Sequence, residues 1–199
     1  MSRTHQLTVM LLLSAFGLIS NASYIHAKAF VAQLMLESAW ASSLEGKENP
    51  KPWPWADTWP VARLAAPDLG ISQIVLAGAS GSSLAFGPGH LYGSSTPGEK
   101  GNVIISGHRD THFSFLKDLA KGDFLVLETN KKHIAYRVTA MQIVDSNQHA
   151  NIPTDQFDKL VLLTCYPFNA IQAGGPLRYM VTAEPIGIEN KKSTPSDLW

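Results

Sequence analysis

Cysteine occurs once in the 199 residues, at Cys165. An internal disulfide and any multi-cysteine zinc or iron–sulfur framework are therefore excluded. Neither sign of charge is in excess, since sixteen Lys and Arg balance sixteen Asp and Glu, and Lys131-Lys132 and Lys191-Lys192 are only pairs. With no basic field to gather it, nucleic acid is not an expected partner. Internal repeats and low-complexity tracts are lacking as well. What the chain does have is 45% hydrophobic residues, too many for a disordered protein, together with twelve prolines and fifteen glycines. That mixture favours short strands and turns over long helices.

The N-terminus is the exception. Leu7 to Ile25 carries no charged side chain, and nineteen helical residues rise about 28 Å, close to the hydrocarbon thickness of a bilayer. Arg3 precedes the run, which by the positive-inside tendency leaves the N-terminus in the cytoplasm and the rest of the chain outside it. Ala27-Lys28-Ala29 resembles a signal-peptidase site, but Ala29, Ala32, Leu36, Ala39 and Trp40 continue the helical spacing past it. An uncleaved signal-anchor is the preferred reading, over a cleaved signal or a buried soluble helix. From Ala41 to Asp57 the pattern dissolves, and Pro50, Pro52 and Pro54 at alternate positions favour an extended spacer. Trp53 and Trp55 are read as capping the core in preference to lying at a membrane interface.

Beyond Trp59 short apolar segments recur at 60–65, 71–76, 102–106, 124–128, 135–144, 160–164 and 177–183, separated by turn signals such as Asp68-Leu69-Gly70 and Lys121-Gly122-Asp123. Seven or eight short strands predict a closed β-barrel or a sandwich. Helix is expected only at 111–120, with a turn at 153–157. The resulting organisation is an anchor at 1–26, an amphipathic helix and spacer at 27–57, a catalytic domain at 58–189 and a polar tail at 190–199.

Cys165 ends the apolar run Leu160 to Thr164, His108 follows Asn102 to Gly107, and Arg178 opens the last apolar segment. Each alone has an ordinary reading: a packed thiol, a turn histidine, a surface arginine. Together at strand ends they are the parts of thiolate acyl transfer, with Cys165 as nucleophile, His108 as acid and Arg178 stabilising negative charge. A thiol at the ordinary cysteine pKa is only about 3% ionised at neutral pH, so a nearby guanidinium favours such chemistry.

Val161-Leu162-Leu163-Thr164-Cys165 resembles the Thr-Leu-x-Thr-Cys motif of sortases, with Val161 in place of the first Thr. His108, 57 residues before Cys165, and Arg178, 13 after it, stand in the order and range that family uses. Ala77 to Gly81, Leu84 to His90, Gly107 to Phe113 and Cys165-Tyr166-Pro167-Phe168 are similar to the Gram-negative branch, class GN. The resemblance spans about Trp59 to Pro185. It implies an eight-stranded sortase β-barrel with short helices behind a transmembrane helix, anchored single-pass in the inner membrane and facing the periplasm. It also implies a cysteine transpeptidase that cleaves an LPxTG-like C-terminal sorting signal of a secreted protein through a thioacyl-enzyme and passes the acyl group to an amine. The expected target in this branch carries VIT and von Willebrand A-type domains; the amine acceptor is not specified.

Other residues leave alternatives open. Thr164 either contacts substrate or packs within its strand. His90 either lines a substrate groove or, preferably, decorates a surface loop. Asp110 either orients His108 or, preferably, caps the expected helix. His108 and His112 have a two-histidine spacing, but Arg109 stands where a metalloprotease has Glu, so no metal is expected, nor any cofactor. The competing functions are an L,D-transpeptidase, whose Ser-x-Gly-Cys-x-Arg pattern fails at Leu162, Thr164 and Pro167, and a non-catalytic membrane-anchored adaptor.

Overall fold

The computed structural model describes residues 3–147, 158–170 and 174–190. The expected turn at 153–157 and most of the polar tail lie outside the described residues. One helix, α1, runs unbroken over Arg3–Leu44. The first proline of the chain is Pro50, so nothing interrupts its hydrogen-bond ladder. It ends where Gly46 takes φ 95° and the Gly46 and Lys47 amides donate to the carbonyls of Ser43 and Ser42. By length and composition this helix can cross a membrane. Its described side chains are exposed as far as Val31, whereas Ala32, Leu36, Ala39, Trp40 and Ser43 are buried.

Eight strands follow: β1 Pro60–Ala66, β2 Ile71–Ala77, β3 Gly89–His90, β4 Val103–Ser106, β5 Phe124–Glu128, β6 Lys132–Asp145, β7 Leu160–Cys165 and β8 Leu177–Asn190. They close into a barrel in the order β1-β2-β3-β4-β7-β8-β6-β5. The inward residues, among them Leu64, Val75, Ile105, Leu125, Leu162 and Val181, form one core. Of the two architectures the strand pattern allowed, the barrel is the one adopted, and its closure leaves no strand without a neighbour on either side.

Two expectations are corrected, and the eighth strand is located. Strand β3, a two-residue bridge parallel to β2 and antiparallel to β4, has no apolar run to announce it. The helix expected at 111–120 is only a 3-10 turn at Ser114–Lys117 amid other turns. Buried Phe113, Phe115, Leu116 and Leu119 plug the barrel there, and so short a segment cannot nucleate a helix by itself. Trp53 does meet Phe86 edge-on at 4.9 Å between ring centroids, but Trp55 is 82% exposed and caps nothing.

Candidate active site

Parallel pairing of β4 with β7 and antiparallel pairing of β7 with β8 bring the ends of β4 and β7 and the start of β8 to one end of the barrel. Cys165 is the last residue of β7, and its partner in the register is Arg178. Residues directly opposite in an antiparallel pair project on the same side, about 5 Å apart at Cβ. Leu160 and Leu162 face the core while Val161 joins Ile104 and Met180 in a separate apolar cluster with Leu163 packed on it. By alternation Cys165 and Arg178 stand on that second, outer face.

His108 comes next to them through Gly107. The Gly107 amide donates to the Leu163 carbonyl at 3.1 Å, extending the β4–β7 ladder past Ser106. A Cβ on Gly107 would point at the Phe113 ring, 2.7 Å away. His108, one residue on, is exposed. All three expected catalytic residues thus lie at one end of the barrel, Cys165 and Arg178 on one face of adjacent strands and His108 in the segment that leaves β4.

Thr164 and His90 are placed differently. Thr164 is buried, and its hydroxyl donates to the Gly107 carbonyl at 2.8 Å. Its side chain couples the strand of Cys165 to the segment that carries His108. His90 is no surface-loop residue: it is 7% exposed. Its Nε2 lies 3.0 Å from both the Ser95 carbonyl and the Ser94 hydroxyl. Burial lowers its pKa below the ordinary histidine value, partly opposed by the Ser95 carbonyl. The ring is engaged in holding its own loop.

Arg109 is the residue the sequence reading passed over. It is 5% exposed, and its two terminal nitrogens donate at 2.8 Å to the Pro167 and Ala170 carbonyls. The neighbour of His108 thereby grips the loop that follows Cys165. No local signal announced this, because its partners are carbonyls 58 and 61 residues further along the chain. Asp110 neither caps a helix nor serves His108: the 3-10 turn has no side-chain cap, and the Asp110 carboxylate lies 3.3 Å from Arg109 Nε. His112 is held below the ordinary histidine pKa by burial first and by the nearby His108 second, against a backbone hydrogen bond with Ala85.

Arg178 is steadied by its own loop, Nη1 donating to the Gly175 and Leu177 carbonyls at 2.7 and 2.9 Å. Behind Cys165, Tyr166 stacks on Tyr179 while Phe168 meets Tyr179 edge-on at 5.2 Å. The site therefore presents a thiol from β7, a cation from β8 and an imidazole from the segment after β4, with Thr164 and Arg109 tying that segment to the neighbourhood of Cys165. Such a set suits nucleophilic attack on a carbonyl with protonation of the leaving group.

Comparison with known proteins bears on the family and the fold. The chain is 35% identical over 120 residues to Sortase D of Bacillus subtilis, a match covering 59% of this chain and 60% of that protein. The chain thus spans less than two thirds of the length of this curated relative. The catalytic domain of SrtD from B. anthracis superposes with a TM-score of 0.57 at 34% identity, covering 66% of this chain and 90% of that one. Sortase C-3 from Streptococcus pneumoniae, at 19% identity, shares the fold with a TM-score of 0.62 over 84% of this chain and 88% of its own. Residues 64–186 match the family profile described as Sortase domain, more than half of the chain, and the protein belongs to the sortase family.

Proposed function

We propose that this protein is a membrane-tethered cysteine transpeptidase that cleaves an LPxTG-like C-terminal sorting signal and transfers the acyl fragment to an amine. The observation that carries the reading is the cross-strand pair Cys165 and Arg178, with His108 in the segment that leaves the neighbouring strand β4 at the same end of the barrel. The Cys165 thiolate attacks the scissile carbonyl carbon, and Arg178 donates to the oxygen as it gains charge. Collapse breaks the C–N bond, the amine leaves with a proton from His108, and a thioester remains on Cys165. The acceptor amine then attacks the thioester carbon and gives its proton to the now neutral His108; the new amide bond forms as the C–S bond breaks and the Cys165 thiolate departs. Family membership supports this chemistry over an L,D-transpeptidase.

The finer assignments rest on the motifs. The Cys165-Tyr166-Pro167-Phe168 run and the segments Ala77 to Gly81 and Leu84 to His90 favour the Gram-negative branch, a periplasmic catalytic domain and a secreted target with VIT and von Willebrand A-type domains. Thr164 and His90 serve the site as supports of its loops, with any substrate contact of Thr164 coming from its backbone. Cys165→Ala tests the reading: the protein folds as the parent does but cleaves no sorting-signal peptide. Cleavage retained by the folded variant removes the thioacyl mechanism.

A further inference from the structure

The side of the barrel on which α1 emerges decides which end meets a membrane. Helix α1 does not stop at the apolar run but continues onto the barrel, where four contacts give its direction. Gln33 donates to the Phe86 carbonyl at 2.9 Å, beside Ala85, whose backbone bonds His112. Glu37 pairs with Arg63 of β1. Leu36 and Trp40 pack on Ile74 and Leu76 of β2. Trp40 and Ser43 reach the start of β1, lining a cavity of about 540 Å³ with Pro60, Val61 and the β5–β6 turn at Asn130.

That cavity lies at the far end of the barrel. Strand β1 starts there, β5 ends there and β6 begins there, whereas β4 and β7 run away from it toward His108 and Cys165. From its C-terminus backward, α1 therefore climbs from the far end to the catalytic end. Residues 3–31, about 43 Å of helix, leave the barrel beside the His108–His112 loop.

We infer that the catalytic end of the barrel faces the bilayer in which α1 is embedded, so that the site takes a scissile bond held close to the membrane surface. Between Ile25, the end of the apolar run, and Ala32, the first buried residue, lie six residues, about 9 Å of helix. The polar headgroup layer is itself about 5–8 Å thick. The mouth with Cys165, Arg178 and His108 stands just above that layer, and the stiff connection sets its height. The inference rests on the proposed function for its substrate, a peptide whose cleavage site lies directly before a membrane span of its own. Asn130 and the cavity face away from the lipid.

The full chain in phosphatidylethanolamine/phosphatidylglycerol vesicles tests both halves. In a Cys165→Ala background, a fluorophore is placed at Asp110→Cys, at the catalytic end, or at Asn130→Cys, at the far end. With a headgroup-attached quencher, quenching is expected to be at least threefold stronger at 110 than at 130. Equal or reversed quenching overturns the orientation, whatever the enzyme's activity. Seven helix-forming residues inserted after Lys28 then raise the barrel by about 10 Å with its face nearly unturned. Cleavage of a vesicle-embedded substrate with a short spacer should fall at least tenfold while a soluble sorting-signal peptide is cut as before. Unchanged cleavage of the embedded substrate overturns the height claim. Failure of the parent enzyme to cut either substrate overturns the proposed function and leaves the quenching result standing.

Discussion

Arg178 and Thr164 show how a single side chain's role follows from what it touches. Arg178 offers a forked set of donors steadied by two loop carbonyls, and a lysine reproduces the charge but not the fork. Arg178→Lys should lower kcat/KM for a sorting-signal peptide at least about tenfold, with stability within roughly 1 kcal/mol of the parent. Near-parent activity would take Arg178 out of the catalytic set. Thr164 uses its hydroxyl on the buried Gly107 carbonyl. Thr164→Val keeps the shape and removes the donor, which should cost about 1–3 kcal/mol in urea unfolding. KM of the folded variant should stay at the parent value; a raised KM with unchanged stability would mean that the hydroxyl meets substrate. Position at the edge of an apolar run was legible for Cys165 and Arg178 because strand ends are local features. The burial of His90 and the grip of Arg109 were not, because their partners are carbonyls whose positions depend on the folded loops.

Among the elements, β4 with its exit is the most constrained. Gly107 leaves the ladder against the fully buried Phe113 ring, three of whose atoms lie within 2.9 Å of a would-be Cβ. Gly107→Ala should destabilise by about 1–3 kcal/mol through overpacking. It should also reduce kcat, since His108 is the next residue. Gly81→Ala, with open space around its Cβ, is the control and should leave both within error of the parent. Strands β1, β2, β4, β5 and β7 agree with the apolar segments to within a residue, because alternation and turn residues announce them. The second half of β8 was hidden by Pro185, which breaks the pattern but is tolerated where β7 has already ended and only β6 is paired.

At the scale of the whole molecule, α1 is both tether and part of the barrel's coat. The boundary at residue 57 cuts away Leu36 and Trp40, which are 1% and 3% exposed. Burying two such side chains contributes about 3–6 kcal/mol. A chain beginning at Phe30 should therefore be soluble and unfold cooperatively, whereas one beginning at Thr58 should be less stable by an amount in that range. Equal urea midpoints would show that the docked segment adds nothing.

The sequence by itself determined the long N-terminal helix, the β character of the rest, most strand positions, and a lone thiol at a strand end with a histidine and an arginine in sortase order. These are readable because the periods of helix and strand, the turn residues and the motif spacings are local in the chain. Only the tertiary structure decided that Cys165 faces Arg178 across one ladder, that β3 completes the barrel, that Thr164 and Arg109 tie the His108 segment to the neighbourhood of Cys165, and that α1 leaves from the catalytic end. A side-chain period says which face a residue takes, but which strands become neighbours is settled by contacts between segments far apart in the chain.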